Sequence, residues 1–95
     1  MMICNVIGNV WATKKEESLS GMKLMVVQQT DAFGKNGKDS FVAADMVGAG
    51  IGERVLVVNG STARAAFSRE TLPVDAAIVG IIDEIEVDKG NQGKK

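Results

Sequence analysis

Histidine and tyrosine are absent from this sequence, and cysteine, proline and tryptophan each occur once. Without histidine, the chain lacks the side chain that most often acts as a general base near neutral pH. The single cysteine, Cys4, excludes an internal disulfide and a cysteine-rich zinc cluster. Cys4 lies in an apolar strand pattern, where cysteine more often packs as a small hydrophobic residue than acts as a nucleophile. We therefore predict no catalytic residue, no metal site and no cofactor.

Neither sign of charge is in excess. The chain has 11 lysine and arginine residues, 12 acidic residues and a net charge of −1. This balance gives no electrostatic attraction to nucleic acid or to an anionic membrane. No apolar run approaches the length that crosses a bilayer, and the first residues lack the basic start of a secretory signal. We predict a cytosolic protein with no nucleic-acid partner and no membrane partner.

Five runs rich in β-branched and other apolar residues are separated by residues typical of turns. The runs cover residues 2–13, 22–31, 40–47, 53–59 and 73–87. One short helix is predicted at residues 61–67, where alanines follow a polar start. No segment supplies the long crossovers that a parallel sheet needs. The pattern predicts a single, mainly all-β domain at residues 1–87, either a small five-stranded antiparallel β-barrel that is OB-like or a rolled sheet. A polar tail follows at residues 88–95, which we expect to be mobile.

The predicted strands are apolar on both faces. In residues 22–27, for example, Met22 and Leu24 share one face while Met25 lies on the other. A small barrel buries only one face of each strand, so the second face needs cover from helices or from another subunit. Because the pattern contains at most one short helix, we predict self-association. A monomer with unusually apolar strands is the alternative.

The segment VGAGIGERV places three glycines in five positions, at Gly48, Gly50 and Gly52. It departs from the dinucleotide-binding pattern G-x-G-x-x-G, because Glu53 occupies the position of the third glycine. The following RVLVV is a strand pattern, so no helix N-terminus is available to bind phosphate. We predict a tight corner between two strands, where glycine allows positive φ or close backbone contact.

Four segments follow one another along the chain between Gly8 and Ile85: GNVWATKKEESLSGMKLMVVQ, VGAGIGERVLVV, GSTARAAF and PVDAAIVGIIDEI. This arrangement resembles the EutN/CcmL family of bacterial microcompartment vertex proteins. The resemblance implies a β-barrel protomer that forms a cyclic homopentamer. Such pentamers cap the five-fold vertices of a polyhedral shell whose facets are hexameric proteins. The implied function is structural, without catalysis, at the microcompartment shell in the cytoplasm.

The resemblance also suggests roles for the glycine segment. It implies that Gly48, Ala49, Gly50 and Gly52 lie at the axis of the ring or at a subunit contact, where small residues let backbones approach. The alternative is an ordinary turn within one chain.

Other polar and aromatic residues are candidates for contacts between proteins. Ser61, Thr62 and Arg64 would make polar contacts between subunits, or they would serve only the helix that contains them. Trp11 is bulkier than the residue that the family pattern leads us to expect, and it is a candidate interface anchor. Arg69, Glu70 and the charged loop at residues 14–17 are candidates for contact with the hexamers.

A five-stranded barrel also suits a module that binds single-stranded nucleic acid or a small ligand. Such modules combine stacked aromatic residues with a basic groove. This chain has Trp11 and three phenylalanines but no excess of basic residues. The OB-type binding module is therefore the alternative function.

Overall fold

The computed structural model describes residues 1–12, 15, 17–66 and 73–88, which form five strands and one α-helix. The strands are β1 (Met2–Asn9), β2 (Lys23–Thr30), β3 (Asn36–Asp45), β4 (Arg54–Asn59) and β5 (Ala76–Ile81), and the helix is α1 (Gly60–Ala66). A 3₁₀ turn at Glu17–Leu19 precedes β2. No helix in this part of the chain has the length and apolarity to cross a membrane. Of the predicted tail at residues 88–95, only Asp88 is among the described residues.

The five strands close into a barrel in the order β1-β2-β3-β5-β4, with β4 paired back to β1. This confirms the predicted small, all-β, five-stranded barrel with one short helix. Four of the strand pairs are antiparallel, whereas β3 and β5 pair in parallel through Ala44 with Ala77 and Asp45 with Ile78. The parallel pair corrects the antiparallel prediction at this point. Strand directions cannot alternate all the way around a closed ring with an odd number of strands.

The last strand is shorter than the predicted run at residues 73–87. β5 ends at Ile81, and the N–H of Ile82 still donates to the carbonyl of Arg54 at 2.8 Å. Arg54 is the first residue of β4, so the neighbouring strand offers no further partner beyond it. The apolar pattern that continues past Ile82 therefore does not form part of the barrel.

The barrel interior is filled by alternate residues of all five strands. Its buried members are Cys4, Val6, Met25, Val27, Ala43, Ala49, Val55, Val57, Ala76 and Ile78. Because strand side chains alternate between faces, the nine of these residues that lie on strands line the inside of the barrel. Ala49, which lies between β3 and β4, also packs into this core. Met25 and Ile78 are the largest of the fully buried side chains.

A second apolar cluster lies outside the barrel wall. It joins Ala44, Val58 and Ala77 of the strands to Ala63 of α1 and to Val74, which precedes β5. The helix matches the predicted range of residues 61–67 within one residue at each end, and residue 67 lies outside the described residues. Part of the second apolar face is thus covered within the chain, which corrects the expectation that only another subunit would cover it.

Candidate assembly surface

The glycine segment lies where β1, β3 and β5 end and β2 and β4 begin, which we call the corner end of the barrel. The corner, residues 46–53, joins β3 to β4 and passes the end of β5, which lies between them. It also rests on β1: the N–H of Gly52 donates to the carbonyl of Val6 at 2.8 Å, and the N–H of Val6 donates to the carbonyl of Glu53 at 2.9 Å. The predicted corner between two strands is confirmed.

One buried carboxylate organises the first half of the corner. Asp45 ends β3 with its side chain 1% exposed. Its Oδ1 accepts a hydrogen bond from the N–H of Val47 at 3.0 Å, and its Oδ2 accepts one from the N–H of Ala49 at 2.8 Å. The Nζ of Lys23 lies 3.7 Å from the same Oδ2 and donates to the carbonyl of Ala49 at 2.6 Å. The ion pair and its hydrogen bonds fix the backbone of the corner.

Asp45 is not among the candidate residues inferred from the sequence, although a local signal for it exists. An aspartate that precedes a glycine-rich loop commonly accepts a hydrogen bond from its own backbone two residues later. The N–H of Val47 makes this bond. Lys23 carries no comparable signal, because its partner is distant in sequence.

Glu53 organises the second half of the corner. Its Oε1 accepts a hydrogen bond from the N–H of Gly50 at 2.6 Å, and its own N–H donates to the carbonyl of Gly50 at 3.2 Å. Glu53 is the residue that interrupts the dinucleotide-binding pattern. The N–H groups of Ala49 and Gly50, which a phosphate would need, already donate to carboxylates of the chain. These hydrogen bonds stabilise the backbone of the corner and leave the two N–H groups unavailable to an anion.

The three glycines of the corner are not equivalent. Gly48 and Gly52 have φ values of 80° and 93°, in the left-handed region that favours glycine. Gly50 does not have a positive φ, and a Cβ added to it would meet the Oε1 of Glu53 at 3.5 Å, an ordinary contact. Within one chain, the backbone therefore requires glycine at positions 48 and 52 but not at position 50. Ala49 is fully buried in the core.

The corner end also carries a cluster of exposed apolar side chains, which we call the corner patch. Its members are Ile7, Trp11, Met46, Val47 and Ile51, all between 39% and 89% exposed. Trp11 is the most exposed of them at 89%, so it is not a core residue of the single chain. Ile7 is the extra residue of a β-bulge in β1, between Val6 and Gly8, which locally disrupts the strand pairing. Five of the nine large apolar residues that are exposed in the described part of the chain belong to the corner patch.

A groove next to the corner patch combines apolar and basic side chains. It runs between the corner and the adjoining ends of β1 and β2, and we call it the corner groove. Its lining includes Val10, Trp11, Lys15, Lys23, Leu24 and Ile51. Two of these residues belong to the corner patch, so patch and groove form one continuous surface.

The polar candidates on α1 lie away from the corner. α1 follows the end of β4, whereas the corner precedes the start of that strand. Ser61 and Thr62 are exposed, and the half-buried Arg64 donates from Nη1 to the carbonyl of Val74 at 3.3 Å. Arg64 thus has a partner within the chain, on the segment that leads into β5. The structure does not bring these residues together with the glycines.

The charged residues that the family resemblance makes candidates for contact with hexamers are described only in part. Lys15 and Glu17 of the loop at residues 14–17 are exposed, whereas Lys14 and Glu16 lie outside the described residues. Arg69 and Glu70 lie outside them as well.

Cys4 is buried in the barrel core, and desolvation raises the pKa of its thiol from 9.0 to about 11. The thiol is therefore protonated at neutral pH and poorly suited to nucleophilic attack. The described residues contain no group of three or more histidine, cysteine or acidic residues placed to hold a metal ion.

We expect the stability of the barrel to fall as the pH rises from about 9 to about 11. In this range the unfolded chain releases the Cys4 proton while the folded chain still holds it, so unfolding becomes more favourable. Urea unfolding of the wild type and of Cys4→Ala at both ends of the range isolates this effect, since both proteins share the same lysines. A stability difference between them that does not change with pH would contradict the prediction.

Comparison with known proteins places the chain in a family. Residues 1–83 match the family described as ethanolamine utilisation protein EutN/carboxysome. The carboxysome shell vertex protein CcmL of Synechococcus elongatus is 48% identical and aligns with 93% of this chain and 89% of its own length. The bacterial microcompartment shell vertex protein EutN of Salmonella typhimurium is 41% identical and aligns with 90% of this chain and 86% of its own length.

Solved structures agree with these relatives. CcmL of Gloeobacter violaceus superposes with a TM-score of 0.86 at 44% identity, covering 93% of this chain and 91% of that structure. The GrpN pentameric microcompartment shell protein of Rhodospirillum rubrum superposes with a TM-score of 0.84 at 43% identity, covering 93% of this chain and all of that structure. The resemblance inferred from the four sequence segments is confirmed: the chain belongs to the EutN/CcmL family, whose relatives named above are structural shell proteins of carboxysomes and other bacterial microcompartments.

Proposed function

We propose that this protein is a structural shell component that assembles as a cyclic homopentamer and caps the five-fold vertices of a bacterial microcompartment. The observation that carries the proposal is the corner patch, whose apolar side chains a single chain leaves uncovered. Large exposed apolar patches mark protein interfaces. The relatives named as shell vertex proteins, and the related structure described as a pentameric shell protein, support the same function.

A rigid corner suits a surface that contacts another subunit. The carboxylates of Asp45 and Glu53 hold its backbone before any partner arrives. Because the corner is already ordered, association loses less conformational entropy than it would with a flexible loop. In a ring, each protomer presents two different faces to its two neighbours, and the contact closes by rotation. We place Gly48, Gly50 and Gly52 at this subunit contact, whereas Ala49, which is fully buried in the core of its own chain, cannot lie there.

The five-fold symmetry of the proposed ring defines its role in the shell. A flat sheet of hexamers cannot close on itself, so a polyhedral shell needs five-fold units at its corners. We propose that the pentamer fills these positions and that its rim meets the hexameric shell proteins. The exposed Glu17 of the charged loop is a candidate for the rim contact, and Ser61 and Thr62 of α1 are exposed candidates for polar contacts with other chains.

Native mass spectrometry at several protein concentrations and ionic strengths tests the assembly. A dominant pentamer that persists on dilution is expected, whereas a persistent monomer would contradict the proposal and favour the OB-type binding module. A hexamer would contradict the position at the vertex. Co-assembly with hexameric shell proteins tests the capping role: closed polyhedral particles should form only when this protein is present.

Gly50→Val is expected to abolish the pentamer while the protomer stays folded. The φ of Gly50 does not require glycine, and a Cβ there makes only an ordinary contact within the chain, so we expect the main effect of the side chain between subunits. Gly52→Ala is the contrasting variant: its φ of 93° is unfavourable for alanine, so we expect a loss of about 1–2 kcal/mol in protomer stability. Native mass spectrometry and thermal unfolding separate the two effects. Wild-type pentamer yields from Gly50→Val would show that this glycine serves only an intrachain turn.

A further inference from the structure

The segment that follows β5, residues 82–88, carries a run of acidic residues, and we call it the acidic arm. Asp83, Glu84 and Glu86 are exposed, and none of them forms an ion pair with another described residue. Between the acids lie the half-buried Ile85 and Val87, which is 38% exposed. None of the arm's residues, all of which the structure describes, lies in a strand or helix. When such a segment lies extended against a partner, neighbouring side chains point in opposite directions, which would put Glu84 and Glu86 on one side and the two apolar residues on the other.

The corner groove has the complementary character. Two of its apolar side chains, Trp11 and Ile51, are 89% and 61% exposed. Lys15 is exposed and has no ion-pair partner among the described residues, and the side chain of Lys23 is 50% exposed beside its pairing with Asp45. Lysine side chains lay their methylene stems along apolar surface while the ammonium group meets a partner above it. The groove is therefore suited to a segment that is apolar on one side and acidic on the other.

The arm and the groove lie at the same end of the barrel but on different sides of β1. The arm begins beside the β1–β4 pair, where Ile82 and Asp83 adjoin Ile7 and Arg54. The groove lies where β2 begins beside the end of β1. Two complementary surfaces that face different directions on one protomer produce a heterologous contact, which is the kind that a ring requires. In extended backbone the arm spans about 23 Å, long enough to cross onto a neighbour.

We propose that the acidic arm of one protomer lies in the corner groove of the next protomer in the ring. Ile85 and Val87 pack against Trp11 and Ile51, and the carboxylates of the arm pair with the two lysines of the groove. The inference rests on the proposed pentamer and identifies the segment that links its subunits. It also makes the stability of the ring depend on salt, because ion pairs near the surface are screened.

A charge exchange between the arm and the groove tests the contact. Lys15→Glu and Glu86→Lys should each raise the protein concentration at which half of the pentamer dissociates about fivefold or more at low salt. The double variant should bring this concentration most of the way back to the wild-type value. Lys15 is chosen over Lys23 because Lys23 also holds the corner. Lys38→Glu is the matched control, since Lys38 is exposed near the start of β3, at the opposite end of that strand from the corner, and this variant should dissociate like the wild type.

Two truncations supply an independent measurement. Ending the chain after Ile82 removes the arm and should weaken or abolish the pentamer, whereas ending it after Asp88 keeps the arm and should leave the pentamer intact. Unfolding measurements on both confirm that the barrel is present. A wild-type pentamer whose dissociation is unchanged by the charge variants and by loss of the arm would overturn this inference and leave the proposed function standing. A wild-type protein that never forms a pentamer would overturn both.

Discussion

Ile51→Asp is expected to leave the barrel folded and to prevent ring assembly at micromolar concentrations. Ile51 is 61% exposed and belongs to both the corner patch and the corner groove. Loss of its burial at a subunit contact costs about 1.5–3 kcal/mol, and the new carboxylate must also lose its hydration there. A ring repeats this cost at every contact. Native mass spectrometry measures the assembly, and urea unfolding checks the fold of the protomer.

Phe33→Asp is the matched control for this variant. Phe33 is 39% exposed and lies in the loop between β2 and β3, at the opposite end of these strands from the corner. The same charge is introduced into an exposed apolar loop position, so the pentamer should persist. A stable pentamer of Ile51→Asp would contradict the assignment of the corner patch as the subunit contact, and so would equal disruption by Phe33→Asp.

Asp45→Ala is expected to lower the free energy of unfolding by about 3 kcal/mol. The substitution leaves the N–H groups of Val47 and Ala49 without their acceptor and removes the ion-pair partner of Lys23. Hydrogen bonds to a charged group contribute about 1.5–3 kcal/mol, and breaking a buried ion pair costs about 3–5 kcal/mol. Because half of the Lys23 side chain is exposed, the lower end of the range for a buried ion pair applies, about 3 kcal/mol. The loosened corner should also weaken the ring.

The measurement separates folding from assembly by using the Ile51→Asp background, in which unfolding should not depend on protein concentration. Asp39→Ala is the control, because Asp39 is exposed on the same strand and its loss should change stability by less than about 0.5 kcal/mol. Asp45→Asn keeps an acceptor oxygen, so its free energy of unfolding should lie between those of Asp45→Ala and Asp39→Ala. If Asp45→Ala proved as stable as Asp39→Ala, the carboxylate would not be what fixes the corner.

The number of strands could be predicted because alternation and β-branched residues are local properties of the sequence, but their bounds were predicted only in part. β1 ends at Asn9 within the predicted run at residues 2–13, and β3 begins at Asn36, four residues before the predicted run at residues 40–47. The predicted run at residues 53–59 differs from β4 by one residue, and the run at residues 22–31 differs from β2 by one residue at each end. The end of β5 could not be predicted in this way. A strand ends where its neighbour stops offering hydrogen bonds, and here that limit is set by Arg54 of β4.

The corner was predicted only in part. Its glycines and the strand pattern that follows them were enough to exclude a phosphate-binding loop. The Asp45 anchor depends on the register of β2 against β3, which places Lys23 directly opposite Asp45. The sequence also does not show that Gly48 and Gly52 have positive φ whereas Gly50 does not. The φ value at each position depends on how the corner passes β5 and β1.

By itself, the sequence determined the all-β class, the single short helix and the family, since these follow from local patterns and from motifs in a fixed order. Only the tertiary structure decided the parallel pairing of β3 with β5, which closure of five strands requires. It also decided where the uncovered apolar side chains gather. Ile7 and Trp11 are about forty residues from Met46 and Ile51 in the chain, and barrel closure brings them to one end. Their proximity results from strand order and register, which no local pattern encodes.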